Sequence, residues 1–304
     1  MSQSPVDSAG SAAGFPYNPS WKRGSSVVTA AEDRGPTGVG RLIRRWGPYV
    51  GAGLAAGALS GLFGIGGGLI IVPLLVFFFQ YTQKVAQGTS LVAIVIIALA
   101  GAVPYALHVQ IDWLAALLVV VGGVGGSLIG AAIAHRLPET WLRLIFAAVV
   151  VVSAIRMVWG AAGSAAGAVV SPSQSLASAA AYAGAGLAMG ILSALLGVGG
   201  GIILVPLLAL LLGLAQPAAQ GLSLIVMAPV SLVGALRNGR HGYTRVGPGI
   251  ALGLGGAVVS PLAALVALHL PLKVLSYLFA ALLVFTAAQL VYKVLKARRT
   301  PRPS

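Results

Sequence analysis

Apolar residues run in blocks of about 20 along most of this chain, and polar positions gather in short gaps between them. Stretches long enough to cross a bilayer occupy about 85–107, 112–134, 141–160, 218–236, 247–268 and 271–292. Two longer stretches, 48–79 and 181–214, would each make a straight helix of roughly 45 Å, against roughly 30 Å of hydrocarbon. Each is broken midway, by Gly64-Ile65-Gly66-Gly67-Gly68 and by Gly197-Val198-Gly199-Gly200-Gly201. Clustered glycines weaken a helix and permit the positive φ of a tight turn. The pattern therefore predicts a helix–turn–helix hairpin at each place. Irregular backbone at membrane depth survives only when buried in protein or lining a cavity.

The two broken stretches are copies of each other. Residues 53–75, GLAAGALSGLFGIGGGLIIVPLL, recur 133 positions later at 186–208 with sixteen of 23 positions identical. The register then holds: Gln87, Gly88 and Ser90 match Gln220, Gly221 and Ser223, Gly101 matches Gly234, His108 matches His241, and Pro138 matches Pro271. Repeats inside an apolar chain are the hallmark of transporters built from two halves, with substrate held near the midplane between them.

Composition sharpens this picture. The chain is 58% hydrophobic and 8% charged, whereas soluble domains carry roughly 25% charged residues. It has no cysteine, which excludes disulfides, thiol catalysis and thiolate metal sites. A net charge of +14 raises nucleic acid as a partner. The charge lies mostly in the termini and loops, however, and reads as membrane topology and contact with anionic lipid. Residues 1–47 lack an apolar run and read as a basic, disordered cytoplasmic tail, with no cleavable signal.

Charge placement also chooses between two topologies. If 48–79 and 181–214 were single crossings, the halves would be parallel and Lys84, Arg136, Arg143 and Lys273 would all face outside. With hairpins, each half crosses an odd number of times and the halves are inverted. Arg41, Arg44, Arg45, Lys84, Arg136, Arg143, Arg237, Arg240, Arg245 and the basic tail Lys293–Arg302 then share the cytoplasmic side, leaving only Lys273 and Arg156 outside. Matched positions exchange charge, Asp112 with Arg245 and Arg143 with Ser276. The hairpin reading wins. It gives an all-α polytopic membrane protein of two inverted-topology repeats, 48–162 and 181–295, each a Gly-turn hairpin plus three transmembrane helices, followed by a tail at 296–304.

The second arm of each hairpin starts just after the glycines, so its N-terminal N–H groups and positive dipole end sit at the tip. Gly64, Gly66, Gly67, Gly68, Gly197, Gly199, Gly200 and Gly201 would let an anion approach that backbone closely. The competing reading makes the glycines helix-packing residues. It fits Gly53/Gly57/Gly61 and Gly122/Gly126/Gly130, spaced by four, better than adjacent glycines. AQGTSL (86–91) and AQGLSL (219–224) offer Gln87, Thr89, Ser90, Gln220 and Ser223 as neutral donors to an oxyanion, or as helix caps and interhelical bridges. Pro73 and Pro206 fall inside the second arms and kink them. His108 and His241 lie at span ends and read as satisfied interfacial histidines. No Asp or Glu lies deep in a span, which disfavours a carboxylate proton relay or a caged cation.

The paired G-x-G-G-G-x-x-x-V-P-L-L segments, Gly64–Leu75 and Gly197–Leu208, together with Gly88-Thr89-Ser90 and the four-segment halves, resemble the TauE/SafE family of anion permeases. The resemblance covers about 48–295, and the second half departs from it with Leu222 at the position of Thr89. It implies secondary transport of sulfur oxyanions or organosulfonates, sulfite export above all, across a bacterial inner membrane. A passive anion channel and a carrier of small carboxylates are the alternatives. An intramembrane enzyme lacks H-E-x-x-H, G-x-S-x-G or an acid–base pair. The expected partners are a small anion and membrane lipid, without nucleic acid or cofactor, and self-association stays open.

Overall fold

The computed structural model describes residues 38–133, 151, 155, 175–196 and 200–299, and the regular structure among them is all helical. α1 spans Gly38–Phe63, α2 Gly68–Phe77, α3 Gln83–His108, α4 Trp113–Ile133 and α5 Leu176–Leu196. α6 spans Gly201–Leu211, α7 Gln216–Arg240, α8 Val246–His269 and α9 Leu272–Arg299. Five of the described helices, α3, α4, α5, α7 and α8, hold a stretch long and apolar enough to cross a membrane. This is a multi-pass membrane protein. The expected span at 141–160 (apart from two helical positions, 151 and 155), Arg136, Arg143 and Arg156, Gly197 to Gly199, and the segments 1–37 and 300–304 lie outside the described residues. α1 starts at Gly38, ahead of the expected boundary at 48. The Arg, Leu and Ile residues at 41–45 have adequate helix propensity and carry it outward.

α2 has ten residues, about 15 Å and half a bilayer. Its N-cap Gly67 has φ 74°, and Gly64 and Gly66 have φ 68° and 69°. Three left-handed residues in four turn α1 back on itself, a conformation that side chains with a β-carbon resist. Past the end of α2, the ring of Phe79 stacks on Tyr49 at 4.2 Å, and the Tyr81 and Tyr49 hydroxyls share a 3.0 Å hydrogen bond. The loop after α2 therefore meets α1 at Tyr49, near the middle of that helix. In this connecting loop, burial and the bond to Tyr49 push the Tyr81 phenol up to about 12. The contact is expected to hold fully below pH about 10, the free tyrosine value, and to weaken as pH rises through about 12. Tyrosinate absorbance of the wild type and of Tyr49→Phe, titrated in detergent, measures this.

Small residues set the packing of the long helices. A β-carbon on Gly57 would fall 2.5 Å from the Gly256 α-carbon, and one on Gly53 would strike the Leu252 carbonyl. One on Gly190 would fall 2.9 Å from the Gly123 carbonyl carbon, and one on Gly186 the same distance from the Val119 α-carbon. These are one set of contacts made twice. Subtracting 133 from Gly186 and Gly190, and adding it to Val119 and Gly123, gives Gly53, Gly57, Leu252 and Gly256. The same exchange turns Gly255·Val50 into Gly122·Ala183, Gly256·Ile97 into Gly123·Val230, and Gly101·Leu224 into Gly234·Leu91. Backbones this close gain dispersion contact along a long seam, the main source of helix association in lipid.

Contact order along each seam gives helix direction. Gly53, Gly57 and Gly61 of α1 meet Leu252, Gly256 and Ser260 of α8 in rising order, so α1 and α8 run parallel. Val92, Ile96 and Ile97 of α3 meet Gly249, Gly253 and Gly256, so α3 runs with α8 too. Across α3 and α7 the order falls: Leu91 meets Gly234, Gly101 meets Leu224 and Tyr105 meets Gly221. Those two are antiparallel.

At the start of α4, the Asp112 carboxylate accepts the N–H groups of Leu114 at 2.9 Å and Ala115 at 3.0 Å. This is an N-cap satisfying two otherwise orphaned donors. Asp112→Ala should lower stability by about 1 kcal/mol, read as a lower melting temperature in detergent.

Candidate functional site

Antiparallel α3 and α7 bring the start of α3 beside the end of α7 and the 241–245 loop. Lys84 sits with its ammonium 5.4 Å from the centre of the Tyr243 ring, and the Thr89 hydroxyl accepts the Arg245 N–H at 3.1 Å. Lys84, Arg237, Arg240 and Arg245 thus share one end of the bundle, where a β-carbon on Gly247 would lie 3.0 Å from the Trp46 ring.

A cavity of about 300 Å³ opens at this end. Lys84, Arg237 and His241 supply its basic groups, and Gln87, Ser127, Ser193 and Asn238 its neutral polar ones. Among the described residues, no acidic one lines it. The Arg237 guanidinium donates to the Leu128 carbonyl at 3.2 Å. His241 donates Nδ1–H to the Arg237 carbonyl at 2.8 Å. Cationic walls with neutral donors behind them attract an oxyanion and suit its several acceptor oxygens.

The inner wall reaches the glycine turns. Ser193 lines the cavity, and a β-carbon on Gly200 would lie 3.0 Å from the Ser193 β-carbon. Gly200 has φ 77° and caps α6, as Gly67 caps α2. One residue on, a β-carbon at Gly201 would lie 2.8 Å from the Ile65 α-carbon and 2.9 Å from the Gly64 carbonyl oxygen. The two turns touch. Met227 packs against both Gly66 and Gly201 and is fully buried.

The sequence-expected donors divide between the two sides of this contact. Gln87 lies in the open cavity. Gln220 lies across the turns against Gly64, fully buried, accepting the Tyr105 hydroxyl at 3.0 Å through Oε1 while its Nε2 has no partner among the described residues. Ser223 donates its hydroxyl to the Gly64 carbonyl at 2.9 Å and so pins the first turn. Ser90 donates to Gln87 of its own helix at 2.8 Å, and Thr89 holds the Arg245 backbone. Gly68 is buried as the first residue of α2, while Gly197 and Gly199 lie outside the described residues. His108 donates Nδ1–H to the Pro104 carbonyl, 2.8 Å away at the far end of α3.

Lys84, Ser127, Ser193, Arg237, Asn238 and His241 were not expected as lining residues. Lys84 and Arg237 were legible only as topology markers. The serines carried a signal, since Ser60/Ser193 and Ser127/Ser260 are matched across the repeat.

Residues 20–157 and 182–304 match the family described as sulfite exporter TauE/SafE. The chain belongs to the TauE/SafE family. Over 108 residues it is 37% identical to a probable membrane transporter protein of Xylella fastidiosa strain 9a5c, covering 35% of this chain. That match spans 41% of the Xylella protein's length. A longer match, 26% identical over 260 residues, joins this TauE/SafE chain to the probable membrane transporter protein YunE of Bacillus subtilis strain 168, covering 79% of this chain and 95% of YunE. No solved structure matches the chain.

Proposed function

We propose that this protein is a secondary transporter of a small anion, a sulfur oxyanion such as sulfite or an organosulfonate. The observation that carries the reading is the cavity lined by Lys84, Arg237 and His241 and ending at the touching glycine turns. The anion is drawn in by Lys84 and Arg237 and hydrogen-bonded by Gln87, Ser127, Ser193 and Asn238. It then meets the N-terminal ends of α6 and α2, where Gly67, Gly68, Gly200 and Gly201 leave the backbone open to it. Ser90, Thr89 and Ser223 hold the frame from behind.

The two halves are inverted repeats, a reading supported by antiparallel α3 and α7 and by contacts that recur when 133 is exchanged between partners. The basic end is then cytoplasmic, as are both termini, in the inner membrane of a bacterium. The cavity opens to that side, which suits export.

Purified protein screened by thermal shift against sulfite, sulfate, thiosulfate, an alkylsulfonate and acetate tests the ligand. Sulfite or the sulfonate should stabilise it most, and a response to acetate alone would refute the sulfur assignment. In proteoliposomes, sulfite accumulation against its gradient under an imposed proton or sodium gradient is expected. Flux that only ever runs downhill would make the protein a channel.

A further inference from the structure

Three polar atoms are buried in one place with no hydrogen-bond partner among the described residues: the Ser60 hydroxyl, the Ser260 hydroxyl and Gln220 Nε2. Each residue is fully buried. They share one neighbourhood. Gly61, next to Ser60, packs on Ser260, Gly101 faces the Ser260 hydroxyl, and the Tyr105 hydroxyl donates to the Gly61 carbonyl at 2.8 Å and contacts Gln220 at 3.0 Å. Leaving one such group dry costs about 1–3 kcal/mol, so three together call for an explanation.

The repeat supplies one. Adding 133 to Ser60 gives Ser193, and subtracting it from Ser260 and Gln220 gives Ser127 and Gln87. Those three line the open basic cavity. The remaining wall matches as well: Leu91, Val230 and Gly234 correspond to Leu224, Ile97 and Gly101. At the place of Asn238, at the cavity wall, the matched position holds Tyr105, and its buried ring fills the space.

We propose that Ser60, Gln220 and Ser260 form a second anion-binding cavity, the closed counterpart of the basic one, sealed by Tyr105 and opening to the opposite face. The inference rests on the anion-transporter reading for its ligand, but its architecture rests on the matched residues and the stranded donors alone. When Tyr105 swings out, the three donors gain an oxyanion or water, and the glycine turns lie between the two cavities. Lys84 and Arg237 correspond to Pro217 and Pro104, so the second cavity lacks cations at its mouth. It binds the anion more weakly and releases it.

The chain has no cysteine, so single cysteines can be placed without a prior background. Ser60→Cys, Ser260→Cys, Ser127→Cys and Ser193→Cys, each in wild-type and Tyr105→Phe backgrounds, are reconstituted in oriented vesicles. A membrane-impermeant maleimide is then added from one side at a time, using only monodisperse protein. Ser127→Cys and Ser193→Cys should label from the basic side. Ser60→Cys and Ser260→Cys should label only from the opposite side, several-fold faster when Tyr105→Phe removes both bonds of the seal, while basic-side labelling slows. Labelling of Ser60→Cys and Ser260→Cys from the basic side, or from neither side in either background, overturns the inference. Added sulfite reports separately on the ligand. If it fails to protect Ser127→Cys and Ser193→Cys while the labelling sides hold, the anion reading falls and the paired cavities stand.

Discussion

Reversing charge at the cavity mouth is expected to cripple anion binding while leaving the fold intact. Lys84→Glu and Arg237→Glu should each weaken sulfite binding about a hundredfold or more. A hydrogen bond to a charged group contributes about 1.5–3 kcal/mol, or roughly one to two decades in affinity, and a carboxylate in its place adds repulsion. The neutral variants Lys84→Gln and Arg237→Gln lose the attraction only and should fall by about tenfold. Arg237 also donates to the Leu128 carbonyl, so its loss combines a structural with an electrostatic effect. Lys84 has no such bond to the backbone, and its ring partner Tyr243 is a surface neighbour. Lys84→Gln is therefore the cleaner probe. Its deficit should shrink as ionic strength rises, because exposed charges are screened with a Debye length of about 8 Å at physiological salt. Binding isotherms at low and high salt measure this. An equal loss at both would place Lys84 in a packing role and move the anion elsewhere.

Much of this arrangement could be read from the chain because two signals depend only on local chemistry. Glycine clusters at 64–68 predict a turn wherever they fall, and Gly64, Gly66 and Gly67 do adopt left-handed φ. The repeat register tells which residues occupy equivalent positions, and it pairs Gln87 with Gln220. What the chain could not show was which member of each pair faces open space. Gln87 lines a cavity and Gln220 is buried, yet the surrounding sequences are nearly the same. The difference lies at position 105 against 238, where a buried Tyr fills what an Asn leaves open. Ser90 illustrates a local bond: its hydroxyl donates to a carbonyl one turn back on its own helix, a bond that serine in helices often makes. The packing glycines were the easiest to place, since spacing by four puts them on one face, and Gly53 and Gly57 do meet α8 backbone.

Replacing a turn glycine should damage binding far more than replacing a packing glycine of the long helices. Gly67 and Gly200 have φ 74° and 77°. A residue with a β-carbon there costs about 1–2 kcal/mol in backbone strain, and valine considerably more. The space is also taken. A β-carbon on Gly67 would lie 2.9 Å from the Ala56 carbonyl oxygen, and one on Gly200 would lie 2.9 Å from Met189 Cγ. The Met189 side chain can bend, whereas the Ala56 carbonyl belongs to the α1 backbone. Gly200→Ala should therefore fold and bind weakly, while Gly67→Val should shift the whole α1–α2 turn and lose binding. Two controls separate site damage from general instability. A β-carbon on Gly126 would lie 2.9 Å from the Leu187 α-carbon, so Gly126→Ala should lower the melting temperature yet retain sulfite affinity in whatever protein stays folded. Gly125 has nothing within 4 Å of a β-carbon, and Gly125→Ala should be neutral or stabilising by about 0.5–1 kcal/mol, because alanine suits a helix interior better. Sulfite isotherms on monodisperse fractions of all four variants decide the matter. Wild-type affinity in Gly200→Ala and Gly67→Val would leave the glycines as packing residues, and the anion would then stop at Lys84 and Arg237 without reaching the helix ends.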